Sequence, residues 1–185
     1  MQPEPYSNEA DLLAAAAGGD TAAVRAFLDD VGPTVYGFVF ARVGGDEAAA
    51  EDLVQETLVE AIRSSHTFRG EAALRTWVCA IARRRLARHY EAERRQAVAE
   101  SGLTLLGAVR GDATEEGDLE RRDEIVRALG RLPVLHRQVL VLKYLDDWPV
   151  ADIAAELGRS PVQIQSLLQR ARDGLRRELE EGGDA

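Results

Sequence analysis

Residues 150–172 read VADIAAELGRSPVQIQSLLQRAR, and this stretch decides the fold. Ile153, Ala154 and Leu157 recur at spacings of one, three and four, the signature of a short helix with one inward face. Gly158 ends that helix. Ser160 is a favourable N-cap, and Pro161 stands at the first helical position, where its missing N–H costs nothing. From Pro161 to about Glu180 the pattern Ile164, Leu168, Ala171, Leu175 predicts a longer helix. A short helix, a tight glycine turn and a capped longer helix form a helix-turn-helix. The second helix offers Ser160, Gln163, Gln165, Ser166 and Gln169 outward, and Arg159, Arg170 and Arg172 are placed to reach phosphates. Glutamine bonds adenine edges and arginine neutralises phosphate, so duplex DNA is one expected partner. Helix-turn-helix units without a DNA role also occur in helical bundles.

Working outward, the same three-and-four spacing runs through most of the 185 residues, and no stretch alternates over strand length. Toward the N-terminus of the motif, 119–132 and 134–145 are expected helices separated by Pro133, and Asp146-Asp147-Trp148-Pro149 turns the chain. Periodicity fails from 98 to 118, where Gly102, Gly107, Gly111 and Gly117 accompany a run of acids; this reads as a linker. Before it, a first helix follows Ser7 and a second follows Asp20, perturbed at Gly32-Pro33. A third runs from Asp46 to about Ser64. A long one runs from about Ala72 to Arg95 behind the polar loop 64–71. The expected fold is all-α: a helical domain over 1–97, a linker over 98–118, and a helix-turn-helix domain over 119–185.

Charge is distributed unevenly. Residues 1–60 hold twelve acids against Arg25 and Arg42, whereas 61–95 hold nine arginines against Glu71, Glu91 and Glu93. Opposite blocks on one chain suggest two different partners, although solvated helix faces produce the same pattern. On the third helix Glu51, Asp52, Glu56 and Glu60 lie off the inward stripe. On the long helix Arg83, Arg84 and Arg88 lie beside the apolar face of Leu74, Trp77, Val78, Ile81, Ala82 and Leu86. Arg84, Arg85 and Arg88 have few acids at helical spacing. With Phe68 in the preceding loop they offer an electrostatic track and a stacking surface, the combination that single-stranded nucleic acid needs. Phe68 and Trp77 as core aromatics, with the arginines paired to acids elsewhere, is the competing reading, and for Trp77 the core is favoured.

Composition excludes other classes. One cysteine forms no intrachain disulfide, which fits a reducing cytoplasm. Met1-Gln2-Pro3-Glu4-Pro5 lacks the basic and apolar regions of a signal peptide, and Val139-Leu140-Val141-Leu142 is far too short to span a bilayer. His66, His89 and His136 are scattered. A zinc site from Cys79 with His66 or His89 has weak spacing, and no glycine-rich phosphate loop appears. No cofactor and no catalytic role are expected.

Two motif sets then stand in register. Glu51-Asp52-Leu53-Val54-Gln55-Glu56-Thr57, Phe68-Arg69-Gly70-Glu71, Arg75-Thr76-Trp77-Val78 and Ile81-Ala82-Arg83 resemble the second conserved region of extracytoplasmic-function (ECF) sigma factors. Leu132-Pro133, Arg137-Gln138-Val139-Leu140, Asp152-Ile153-Ala154, Leu157-Gly158-Arg159-Ser160 and Arg170-Ala171-Arg172 resemble the fourth. The resemblance implies a subunit that binds core RNA polymerase and directs promoter recognition, DNA melting and transcription initiation. It implies that Glu51, Asp52, Gln55 and Glu56 dock on the clamp helices of the largest polymerase subunit. Phe68, Arg69, Gly70, Arg83, Arg84, Arg85 and Arg88 would take the minus-10 element. Arg159, Ser160, Gln163, Gln165, Ser166, Gln169, Arg170 and Arg172 would take the minus-35 element. An anti-sigma inhibitor is a further implied partner, and membrane insertion is not.

Departures from the family pattern fall at Arg84, where asparagine is frequent, and near Arg88, where an acid is frequent. They also fall at Gln165 and Leu167, where lysine and arginine are frequent. Leu167 is left to pack on the neighbouring domain or on an inhibitor. The alternative is a conventional helix-turn-helix regulator that acts without polymerase; it leaves the acidic helix and the Phe68 loop unexplained.

Overall fold

The computed structural model describes residues 6–100 and 118–182, and within these every regular element is helical. The helices are α1 (Glu9–Ala17), α2 (Thr21–Arg42), α3 (Glu47–Arg63), α4 (Leu74–Glu100), α5 (Asp118–Arg131), α6 (Val134–Leu140), α7 (Val150–Glu156) and α8 (Pro161–Gly182). A 3₁₀ turn, Ser65–Thr67, precedes α4, and α6 continues as a π-helical turn, Val141–Leu145. The expected linker lies outside the described residues except at its ends, where α4 and α5 extend into it.

The chain forms two compact units. One holds residues 6–40 and 47–88; the other holds 41–46, 89–100 and 118–182. In the first, Ala23, Phe27, Val31, Val35 and Val39 recur every four residues along α2 and are fully buried. α1 packs on α3 and on the 3₁₀ turn. Caps set the entries: Asn8 Oδ1 accepts from Asp11 N (2.9 Å), and Asp20 Oδ1 accepts from Ala22 N (2.8 Å). Glu9 of α1 caps α4 from a distance, its carboxylate accepting from Leu74 N at 2.8 Å, which is why α4 starts at Leu74 rather than near Ala72. Pro33 does not interrupt α2, which is continuous from Thr21 to Arg42. The buried stripe on both sides of the proline holds the helix together despite the lost hydrogen bond.

In the second unit α8 packs against α5, α6 and α7. Its core comprises Leu129, Leu132, Val139, Leu140, Ile153, Ile164, Leu167 and Leu168, with Trp148 and Leu157 at the edge. Leu167 is therefore a core residue of this unit and is 4% exposed, so it is not held out for a neighbour or an inhibitor. Two ion pairs are largely withdrawn from water. Arg42 meets Asp146 at 2.7 Å, and Arg137 meets Glu93 at 2.7 Å. Beside them the Tyr90 hydroxyl donates to the Arg42 carbonyl at 2.5 Å, and burial raises its pKa well above the usual phenol range.

Candidate functional site

The residues singled out from the sequence fall on three surfaces. The first is the outer face of α3. Ala50, Leu53, Thr57 and Ala61 turn inward, the Thr57 hydroxyl donating to the Leu53 carbonyl at 2.6 Å. This rotation leaves Glu51, Asp52, Gln55 and Glu56 exposed on the opposite side. The acidic start of α3 is felt on α2: burial, then the charges of Glu47 and Glu51, raise the pKa of Tyr36. An acidic, solvated helix face suits a basic partner. Glu56 is not wholly free, since its carboxylate accepts from Arg85 at 2.8 Å.

The second surface runs from the loop before α4 along α4 itself. Phe68 and Trp77 are both half-buried and pack against each other, ring centroids 5.3 Å apart and tilted by 57°. Arg69 and Gly70 are exposed, and Gly70 has φ +70°, a conformation that disfavours side chains. The arginines divide into two sets. Arg75 pairs with Asp30, and Arg85 reaches Glu56 and Glu60 on α3. Arg83 lies over the Phe38 ring, 5.4 Å from its centroid. Arg84 and Arg88 are exposed and have no ion-pair partner among the described residues. They stand four apart on one face, where like charges repel unless an anion lies between them. Of the expected basic residues, then, Arg84 and Arg88 form an open track, and Arg85 is directed to α3.

The third surface is the outer side of α8. Ser160 and Gln163 close a reciprocal cap: Ser160 N donates to Gln163 Oε1 at 2.8 Å and Gln163 N donates to Ser160 Oγ at 3.2 Å. The Gln163 amide oxygen is thus committed to the helix start. Further along, Arg172 donates to Gln169 Oε1 at 2.7 Å and to the Tyr144 hydroxyl at 3.2 Å, while Gln169 Nε2 donates to Asp173 at 3.3 Å. Arg159, Gln165 and Ser166 are exposed, and neither the Arg159 nor the Gln165 side chain has a partner among the described residues. Arg170 is exposed, its Nε donating to the Ser166 carbonyl; burial, and after it the charge of Arg170, lowers the pKa of His136. The Ser160–Gln163 box was readable from their spacing of three. The commitment of Arg85 was not, because its partners lie on another helix.

Cys79 is half-buried on α4, and among the described residues no three His, Cys, Asp or Glu side chains converge on a metal-sized site. No helix among them is long and apolar enough to cross a membrane.

Comparison with known proteins follows the same division. Residues 27–96 match the family model described as Sigma-70 region 2, and residues 122–174 match Sigma-70, region 4. The chain is 29% identical over 164 residues to the ECF RNA polymerase sigma factor BldN of Streptomyces coelicolor, covering 87% of this chain and 62% of that protein. It is 31% identical over 182 residues to the ECF RNA polymerase sigma factor SigL of Mycobacterium tuberculosis, covering 92% of this chain and 97% of SigL. Among solved structures, the sigma factor RpoE in complex with the anti-sigma factor NepR from Bartonella quintana aligns with TM-score 0.49 and 25% identity. That alignment covers 85% of this chain and 96% of the other. The chain spans less than two thirds of BldN and nearly all of SigL.

Proposed function

Because the chain belongs to the ECF RNA polymerase sigma factors, we propose that it binds core RNA polymerase and directs it to promoters, opening the DNA there. The exposed Glu51, Asp52 and Gln55 of α3 dock on a basic surface of the largest polymerase subunit, its clamp helices, with Glu56 at the margin. Arg84 and Arg88 follow the phosphates of the separated minus-10 strand, and the Phe68 loop with Arg69 and Gly70 holds an unstacked base. Capturing that base supplies strand-opening energy from binding alone, so no catalytic step falls to this chain. α8 enters the major groove of the minus-35 duplex by its capped N-terminal turns, Gln165 toward base edges and Arg159 and Arg170 toward phosphate. The site of action is the cytoplasm, where the polymerase works. An anti-sigma inhibitor is a further partner on this reading.

The observation that carries the reading is the presence, on one chain, of an open acidic face and an open arginine track on neighbouring helices. A regulator that binds only duplex DNA needs neither. The test is co-purification with core polymerase. Wild type is expected to be retained, and Glu51→Lys with Asp52→Lys to lose retention while keeping its helical circular dichroism. Equal retention of both proteins would remove the docking surface from the account. Phe68→Ala with Arg84→Ala is expected to reduce permanganate reactivity of promoter thymines more than duplex binding.

A further inference from the structure

We propose that Val162 is a specificity-determining residue of the duplex-reading helix, taking the C5 methyl group of a thymine in the major groove. This rests on the promoter reading above and deepens it. Val162 is the second residue of α8 and is 73% exposed, the most open of the large apolar side chains among the described residues. The fold gains nothing from valine there. A β-branched residue is a poorer helix former than alanine, and the inward face of α8 is supplied by Ile164, Leu167, Leu168 and Ala171.

At 3.6 residues per turn Val162, Gln165, Ser166 and Gln169 fall on one stripe, opposite that inward face. Gln163 is withdrawn into the N-terminal cap and Gln169 is held by Arg172 and Asp173. The leading turns of α8 therefore present Val162 and the Gln165 amide, which has no partner among the described residues, to whatever they enter. The apolar feature that a base pair displays in the major groove is the thymine methyl, and glutamine pairs with adenine. Three residues along a helix rise about 4.5 Å, little more than one base-pair step. The expected minus-35 site thus contains a thymine within one or two base pairs of an adenine.

The test uses holoenzyme reconstituted from core polymerase and the full chain. A minus-35 sequence is first selected from a randomised duplex library, and each of its thymines is then replaced singly by deoxyuridine, which removes only the methyl. Wild type is expected to lose affinity about three- to fivefold at one position, the worth of one buried methyl. Val162→Ala is expected to lose a similar factor on the thymine duplex and to be indifferent to uracil, with its thermal unfolding temperature not lowered. Uracil tolerated at every position, a consensus without thymine, or undiminished uracil sensitivity in Val162→Ala would each overturn the assignment while promoter reading stands. Selection of no minus-35 consensus at all would overturn both.

Discussion

His136 lies partly buried on α6, and burial together with the positive charge of Arg170 depresses its pKa below the ordinary value near 6.5. The folded chain therefore resists the proton that the unfolded chain accepts. As pH falls through 6.5 toward the folded pKa, the unfolded state binds more protons and stability is lost. Urea unfolding of the second unit, followed through Trp148 fluorescence in a Trp77→Phe background, is expected to show a lower midpoint at about pH 5.5 than at about pH 7.5. His136→Gln is expected to flatten that difference, and an undiminished difference would assign it to other groups. Single residues were unevenly legible from sequence. The Ser160 cap followed from residue type, whereas the burial of Leu167 followed only from the rotation of α8 against its neighbours.

The elements themselves were largely legible, because buried side chains at three-and-four spacing leave a periodic trace whatever they pack against. α2, α3, α7 and α8 all follow such traces. Where the sequence misled, the cause lay outside the element. The start of α4 depends on a carboxylate from α1, and the direction of Arg85 depends on Glu56 and Glu60 of α3. This division among the arginines has a measurable consequence. Arg84→Ala and Arg88→Ala are each expected to lower affinity for single-stranded minus-10 DNA and to reduce the magnitude of the salt slope by about 0.7. Arg85→Ala is expected to leave the slope unchanged, since its charge is already directed to α3. A slope reduced equally by all three substitutions would contradict the division.

At the scale of the whole molecule, the least legible features join distant parts of the chain. Arg42 and Asp146 are 104 positions apart, and Arg137 and Glu93 are 44 apart. In the same unit Gly44 and Gly130 approach so closely that a Cβ on Gly130 would lie 2.2 Å from the Gly44 carbonyl oxygen. Local periodicity carries no trace of such pairings. Arg137 is 6% exposed and its Nε has no hydrogen-bond partner among the described residues, so Glu93 carries most of its compensation there. Glu93→Ala is expected to destabilise the second unit by about 2 kcal/mol, below the range for fully buried pairs because Glu93 retains some contact with water. Chemical denaturation would measure it, and an unchanged midpoint would show that the pair contributes no stability.

On the proposed reading the acidic face of α3 and the arginine track of α4 serve two opposite electrostatic tasks, and transcription would require both at once. The most direct measurement is transcription in vitro by core polymerase, with and without the chain, across a library of genomic fragments. Discrete start sites that share paired upstream elements, and that vanish with Glu51→Lys and Asp52→Lys, are expected. Transcripts indistinguishable from those of core polymerase alone would contradict the account.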